Sequence, residues 1–334
     1  MKMASELKGR VAVVTGGTAG VGYAVAVELA RQGAVTVVLS RDMGRVRMTV
    51  ETLRSEGYDA HGWSVDVADA HAVEQATGEI EERIGPIDVW VNNAMTTVFG
   101  RFADMSAEEF DKVTANTYLG TVNGTRAALK HMLPRDRGTI VQVGSALAHQ
   151  SIPLQSGYCG AKHAVRGFTN SVRCELMKER RAVRLSMVQL SAFNTPQFDW
   201  ARSHLDRKPR PLAPVFAPEL AARAIVRAAL KPRREYWVGW PAMKTIIGAR
   251  LVPWLTDRLA ARQAYDGQFS DEPAAPRPGN LFEPVPREAG AAGRFAAETR
   301  SASLQYWMSA HRAWIGATAV AVLAALVLWA MLET

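Results

Sequence analysis

The chain has 334 residues, of which 48% are apolar and 22% charged, a composition that suits a globular protein with a substantial core. Its formal net charge is +8, which would fit a nucleic acid, an anionic membrane surface or simply a solvated basic surface. There is no zinc-finger spacing, aromatic RNP pattern or long Lys/Arg block, so no nucleic-acid partner is expected.

The first ten residues are polar and lack an apolar run, so no secretory signal is expected. Residues 10–15 (RVAVVT) and 35–40 (VTVVLS) are rich in β-branched side chains and read as strands. Between them, residues 21–32 carry helical apolar spacing and stop at Gly33, a C-cap signal. Further strands are expected at 61–65, 87–91, 139–144, 184–190 and 236–239. Helices are expected at 43–55, 68–84, 107–133, 157–179 and 218–230. Continuous apolar strands alternating with helices predict a parallel sheet covered on both faces. Right-handed crossovers make it an α/β, Rossmann-like doubly wound sheet in three α/β/α layers. Cys159 and Cys174 would share the helix at 157–179, about 22 Å apart. A disulfide needs Cα atoms within about 7 Å, so none is expected between them.

After residue 240 the pattern changes. Residues 243–265 read as one or two amphipathic helices interrupted at Pro253. Residues 266–300 collect Pro273, Pro276, Pro278, Pro284 and Pro286, and read as an extended linker of low order. Residues 315–332 then run for 18 positions without a charge, the lower bound for crossing the ~30 Å hydrocarbon core. Trp307, Trp314 and Trp329 sit near the ends, as interfacial aromatics do. A transmembrane helix is expected there, with a buried or oligomerising helix as the alternative. Arg294, Arg300 and Arg312 precede it and no Lys or Arg follows, so the folded domain is expected on the cytoplasmic side of a single-pass C-terminal anchor. The expected division is 1–240, 241–265, 266–300 and 301–334.

Thr15, Gly16, Gly17, Thr18, Ala19, Gly20, Val21 and Gly22 join the first strand to the first helix. Glycines let the backbone turn tightly and approach a pyrophosphate, whose charge the helix N-terminus favours. Within a βαβ unit this signals dinucleotide binding. Arg41 follows the second strand with no acid directly at its end, which favours a 2′-phosphate, hence NADP, with NAD as the alternative; a solvent-exposed arginine is the other reading. Asp66 and Val67 follow the third strand, where Asp66 accepts from an adenine amino group or, alternatively, Asp66 or Asp69 caps the next helix. Asn92, Asn93 and Ala94 follow the fourth strand, at the sheet edge where ligands bind or as an Asx turn. Tyr158 and Lys162 are four apart, on one face of a helix. A neighbouring ammonium and an oxidised nicotinamide would lower the phenol's pKa. Ser145, just past the fifth strand, is placed to hydrogen-bond a substrate oxygen. No metal site is expected.

Taken together, the Thr-Gly-x-x-x-Gly-x-Gly turn, Asn-Asn-Ala, a helical Asn, the Ser and Tyr-x-x-x-Lys resemble the compact branch of the short-chain dehydrogenases/reductases over about residues 7–239. The resemblance implies an NAD(P)-dependent oxidoreductase with Tyr158 as general acid/base. It implies Lys162 on the nicotinamide ribose, Ser145 on the substrate carbonyl, and Asn116 holding a relay water. Gly16, Thr18, Gly20, Val21, Gly22, Arg41, Asp66, Val67, Asn93, Ala94 and Thr195 would contact the cofactor. Two departures stand out: Met95 replaces the glycine after Asn-Asn-Ala, and Leu190-Ser191 replaces Pro-Gly after the sixth strand. The segment 195–216 lies where family members build a substrate lid. Its Phe198, Trp200, Leu205, Leu212, Val215 and Phe216, with the anchor, suggest a lipophilic carbonyl or alcohol; packing of these side chains against the core or the linker is the alternative. The resemblance also implies a homodimer or homotetramer. A membrane-tethered dinucleotide-binding protein with little catalysis is the competing reading.

Overall fold

The structure, a computed structural model, describes residues 6–274, 279–286, 288 and 290–312. Seven strands carry the fold: β1 (Val11–Thr15), β2 (Val35–Ser40), β3 (Ala60–Ser64), β4 (Ile87–Asn92), β5 (Thr139–Ser145), β6 (Arg184–Leu190) and β7 (Glu235–Val238). They form one parallel sheet in the order β7-β6-β5-β4-β1-β2-β3. The order reverses between β1 and β4, and doubly wound sheets open a crevice at such a point. Every residue of β1 is buried, as expected for a strand covered on both faces.

Helices α1 (Gly20–Arg31), α2 (Met43–Ser55), α3 (Ala70–Arg83), α4 (Ala107–Thr114), α5 (Gly120–Met132), α6 (Ser156–Lys178) and α7 (Pro218–Leu230) cover the sheet. Alternate strand residues feed two cores. Ala12, Val14 and Val141 pack with Val25 and Leu29 of α1 and Ile225 of α7. Val11, Val13 and Ile140 pack with Ile80 of α3, Met132 of α5 and Leu176 of α6. Complete burial of each such aliphatic chain contributes about 2 kcal/mol, which is why the strand pattern alone identifies the sheet. Local signals set the helix starts: Asp42 caps α2, Asp69 caps α3, and Ser106 with Glu109 forms a capping box on α4.

Two expectations change. The helix expected over 107–133 is interrupted by a π-helical turn, Ala115–Leu119, that holds Asn116. The stretch expected to be a low-order linker is folded where it is described. Phe269–Pro273 pairs antiparallel with Arg207–Pro209, and Thr299–Arg300 pairs with Val215–Phe216. Leu281 is fully buried against Val98 and Val113. Prolines remove donors and fix φ, but they do not prevent a strap whose carbonyls and one large apolar side chain find partners.

The helical extension is α8 (Trp240–Leu251) and α9 (Pro253–Leu259), broken at Val252 and Pro253 as the proline requires. It continues into a π turn, Ala260–Ala264. A last helix, α10 (Leu304–Ala310), buries Tyr306 and Ala310 in the sheet core. Among the described residues no helix is long and apolar enough to cross a membrane. The expected span at 315–332 lies outside the described residues.

Candidate active site

A cavity of about 790 Å³ opens over the C-terminal ends of the strands. Its wall includes Gly16, Thr18, Gly20, Val21, Arg41, Asp66, Val67, Asn93, Ala94, Asn116, Ser145, Tyr158, Lys162 and Thr195. Of the residues expected to hold the cofactor or carry the proton chemistry, only Gly22 stands behind the wall. A Cβ there would fall 2.1 Å from the Gly16 carbonyl oxygen, so the helix can approach the turn only with glycine. Of the expected lid residues, Phe198, Trp200 and Leu212 line the cavity, while Leu205, Val215 and Phe216 do not and Phe216 packs in the sheet core.

The turn is braced from the fourth strand. Asn93 Nδ2 donates to the carbonyls of Thr15 (3.0 Å) and Gly16 (3.3 Å), and the backbone N–H groups of Asn93 and Ala94 donate to Thr15 Oγ1. Gly16 and Gly20 have φ of +66° and +55°. The α1 N-cap, Ala19, has no side chain to cap the first turn, which leaves an anion cradle of backbone N–H groups beside the cavity. Asn92, by contrast, is structural. It bridges Trp90, Thr125 and Gln142 in a buried network.

At the end of β2, Thr18 Oγ1 donates to Ser40 Oγ (3.1 Å). Arg41 is partly buried, and its guanidinium donates to the carbonyls of Asn280 (2.7 Å), Leu281 (3.3 Å) and Phe282 (3.0 Å). Arg45, which the sequence reading missed, lies one turn further on, lines the same cavity and bonds Asp42. Its i+4 spacing from Arg41 was the available signal. Asp42 is thus occupied by the α2 cap and by Arg45. Asp66 does not cap α3, since Asp69 does; its carboxylate accepts from Ala68 N–H and Lys112 Nζ at the cavity wall.

Tyr158 and Lys162 both face the cavity from α6. Lys162 is 4% exposed; its Nζ donates to the Val143 carbonyl (2.7 Å) and stands 5.6 Å from the Tyr158 ring centre. Burial lowers the Lys162 pKa to about 8. The Tyr158 phenol is hydrogen-bonded to Ser145, yet burial raises its pKa above the ordinary value. Desolvation outweighs the lowering that the Ser145 hydrogen bond supplies, so the lowering expected from a neighbouring ammonium is not what sets this phenol's pKa. Ser145 Oγ also accepts from Leu147 N–H (3.1 Å).

Asn116 is buried, and its Nδ2 donates to Thr96 Oγ1 (3.1 Å) and the Leu281 carbonyl (3.4 Å). Its Oδ1 is buried and finds no hydrogen-bond partner among the described residues. The π turn that presents Asn116 is a local rule broken at the site, which periodicity could not reveal. The two departures from the family pattern are accommodated. Met95 lines the cavity, half-buried. Ser191 Oγ donates to the Val238 carbonyl (2.9 Å) and accepts from Ala242 N–H (3.0 Å), so it ties β6 to β7 and α8.

The strap at 279–300 was invisible as a site element in the sequence. Besides its carbonyls on Arg41 and Asn116, its Gly290 carbonyl accepts from Gly20 N–H (2.8 Å), and Phe295 N–H donates to Asn194 Oδ1 (3.0 Å). It forms an outer wall over the glycine turn.

A parallel sheet with a glycine turn at its switch point, a cavity over the strand ends and a paired phenol and ammonium define a dinucleotide-dependent oxidoreductase. Residues 10–205 match the short chain dehydrogenase family, and the chain belongs to it. It is 33% identical over 274 residues to the uncharacterized oxidoreductase YxnA of Bacillus subtilis (strain 168), covering 81% of this chain and 77% of that protein. An actinorhodin polyketide ketoreductase solved with NADPH superposes with a TM-score of 0.60 at 30% identity, over 69% of this chain and 93% of that one. A short chain dehydrogenase/reductase from Burkholderia phymatum solved with NAD shares the fold, with a TM-score of 0.67 at 23% identity, over 81% and 99% of the two chains. Members of the family act on CH–OH and C=O groups with NAD(P), and this chain is such an enzyme.

Proposed function

We propose that the protein is an NADP(H)-dependent oxidoreductase acting on the carbonyl or alcohol carbon of a lipophilic substrate, with Tyr158 as general acid/base. The observation that carries this is the Ser145–Tyr158–Lys162 group lining the same cavity as the glycine turn. The backbone cradle and the unpartnered Asn116 Oδ1 fit a bound dinucleotide and an ordered water. When bound, the reduced nicotinamide supplies the hydride to the carbonyl carbon.

This chain's residues do the rest. Ser145 and Tyr158 hold the substrate oxygen, and Tyr158, protonated at neutral pH as an ordinary phenol is and held so further by burial, gives it a proton as its charge develops. The Lys162 ammonium stabilises the phenolate left behind and is itself oriented by the Val143 carbonyl. Asn116 anchors the water through which the proton is replaced. Thr195 and Asn93 position the ring end and the turn, and Val67 and Asp66 wall the adenine end.

Support for NADP comes from Arg41 and Arg45 lining one end of the cavity, two cations where a 2′-phosphate would lie. The test compares KM for NADPH and NADH in the wild type and in Arg41→Ala. A preference for NADPH of at least tenfold that shrinks in the variant is expected, and equal preference in both proteins removes the assignment. Support for a lipophilic substrate comes from Ile152, Leu212, Val252, Leu255 and Leu259 in the outer wall. Turnover that favours small hydrophilic carbonyls over long-chain ketones would remove it. The uncharged run at 315–332 supports a single-pass C-terminal anchor with the catalytic domain on the cytoplasmic side. Carbonate extraction is expected to leave the full chain in the membrane pellet, and release of intact protein contradicts the anchor. Assembly as a homodimer or homotetramer rests on the family resemblance.

A further inference from the structure

Among the described residues, helices α8 and α9 leave an apolar, basic face uncovered beside the cavity. On α8 the exposed side chains Trp240, Lys244, Ile247 and Leu251 recur at i, i+4, i+7 and i+11, one stripe along the helix, while Ala242 and Ile246 are buried on the other side. Leu251 is 74% exposed. None of the seven residues of α9 is buried, and its Trp254 is 60% exposed. The neighbouring α10 packs on α8 and adds exposed Leu304, Trp307 and Met308. Single exposed apolar residues are ordinary, but a cluster of this size marks a surface that something covers.

Charge identifies what covers it. Between residues 240 and 264 there are four cations, Lys244, Arg250, Arg258 and Arg262, and one acid, Asp257. The Asp257 carboxylate is already engaged by Gln150 Nε2 at 2.9 Å. Arg258 lies over the Trp254 ring, 5.6 Å from its centre, an arrangement in which the apolar ring can go down while the cation stays up. A two-fold contact with a second copy would set these four cations against the same four, since such an interface places a patch on itself. An anionic lipid surface matches both the charge and the apolar stripe. The chain also runs from α10 directly toward the uncharged stretch at 315–332.

The same helices line the cavity. Thr245, Gly248, Val252, Leu255 and Leu259 face its outer end. We propose that α8 and α9 lie on an anionic bilayer with Trp240, Leu251 and Trp254 at the headgroup–acyl boundary, so that the cavity opens onto the lipid and takes its substrate from it. The entry route rests on the lipophilic-substrate reading; the docking face does not.

Peptide-resolved hydrogen exchange on the full chain tests it, with phosphatidylcholine vesicles made with and without phosphatidylglycerol. Amides in 240–259 should exchange about tenfold more slowly on the anionic vesicles, and a double variant, Arg258→Glu with Arg262→Glu, should lose that protection. Both positions lie outside the cavity wall, and NADPH binding confirms that the variant is folded. The variant should retain turnover of a short water-soluble ketone and lose turnover of a long-chain ketone supplied in vesicles. Unprotected 240–259 in a chain that resists carbonate extraction overturns the docking face while leaving the anchor intact. Protection that rises with protein concentration in the absence of vesicles overturns it in favour of a second copy. Vesicle protection combined with a preference for hydrophilic ketones removes the substrate reading alone.

Discussion

Lys162 shows the conflict between function and stability most directly. Its ammonium is buried, its pKa is lowered to about 8, and it donates to the Val143 carbonyl. A base whose folded pKa lies below its unfolded value destabilises the fold while charged, and that penalty is relieved as pH rises through the interval between the two values. Lys162→Met should therefore raise stability at neutral pH by about 1–2 kcal/mol, because the relieved desolvation exceeds the lost bond to Val143. The gain should shrink between pH 8 and the lysine's ordinary value. Thermal melts at several pH values check this, and a loss of stability at pH 7 contradicts it. In the wild type, kcat/KM for ketone reduction should fall above about pH 8 as the ammonium is lost. The phenol gives no falling limb at neutral pH, since burial raises its pKa.

At the scale of elements, the strap is the unexpected part. Leu281 is fully buried, and Arg41, Asn116 and Gly20 all hold strap carbonyls. Leu281→Ala should cost about 2–5 kcal/mol if the strap shares the global unfolding transition. Limited proteolysis should then cut within the strap sooner than in the wild type, and equal cleavage rates would mean that the strap is not held by this side chain. The sheet and its helices were legible because their apolar periodicities report burial directly, and Val35–Ser40, Met43–Ser55, Arg184–Leu190 and Pro218–Leu230 have the expected bounds. The glycine turn and the Tyr158–Lys162 pair were legible because their spacing is itself the chemistry. The strap was not, because its order comes from long-range carbonyl acceptors and one leucine rather than from any local pattern. The π turn at Asn116 was hidden for a related reason: a single five-residue turn between two helical stretches is too short to carry a periodicity of its own. Gly22→Ala belongs at this scale too. A methyl 2.1 Å from the Gly16 oxygen must push the turn apart, so binding of NADPH should weaken at least tenfold, as measured by fluorescence titration.

At the scale of the molecule, one cavity joins the dinucleotide cradle, the proton-transfer group and an apolar outer wall, and two exposed helices surround its far end. On the proposed reading, all of this machinery serves one proton that Tyr158 delivers as a carbonyl is reduced. Tyr158→Phe removes a single oxygen from a side chain whose ring packing stays in place. The direct measurement is NADPH oxidation by the full chain with a long-chain ketone, alongside NADPH binding to the same variant. A fall in kcat of about a hundredfold or more with NADPH affinity unchanged is the predicted result. Turnover near the wild-type rate would contradict the account.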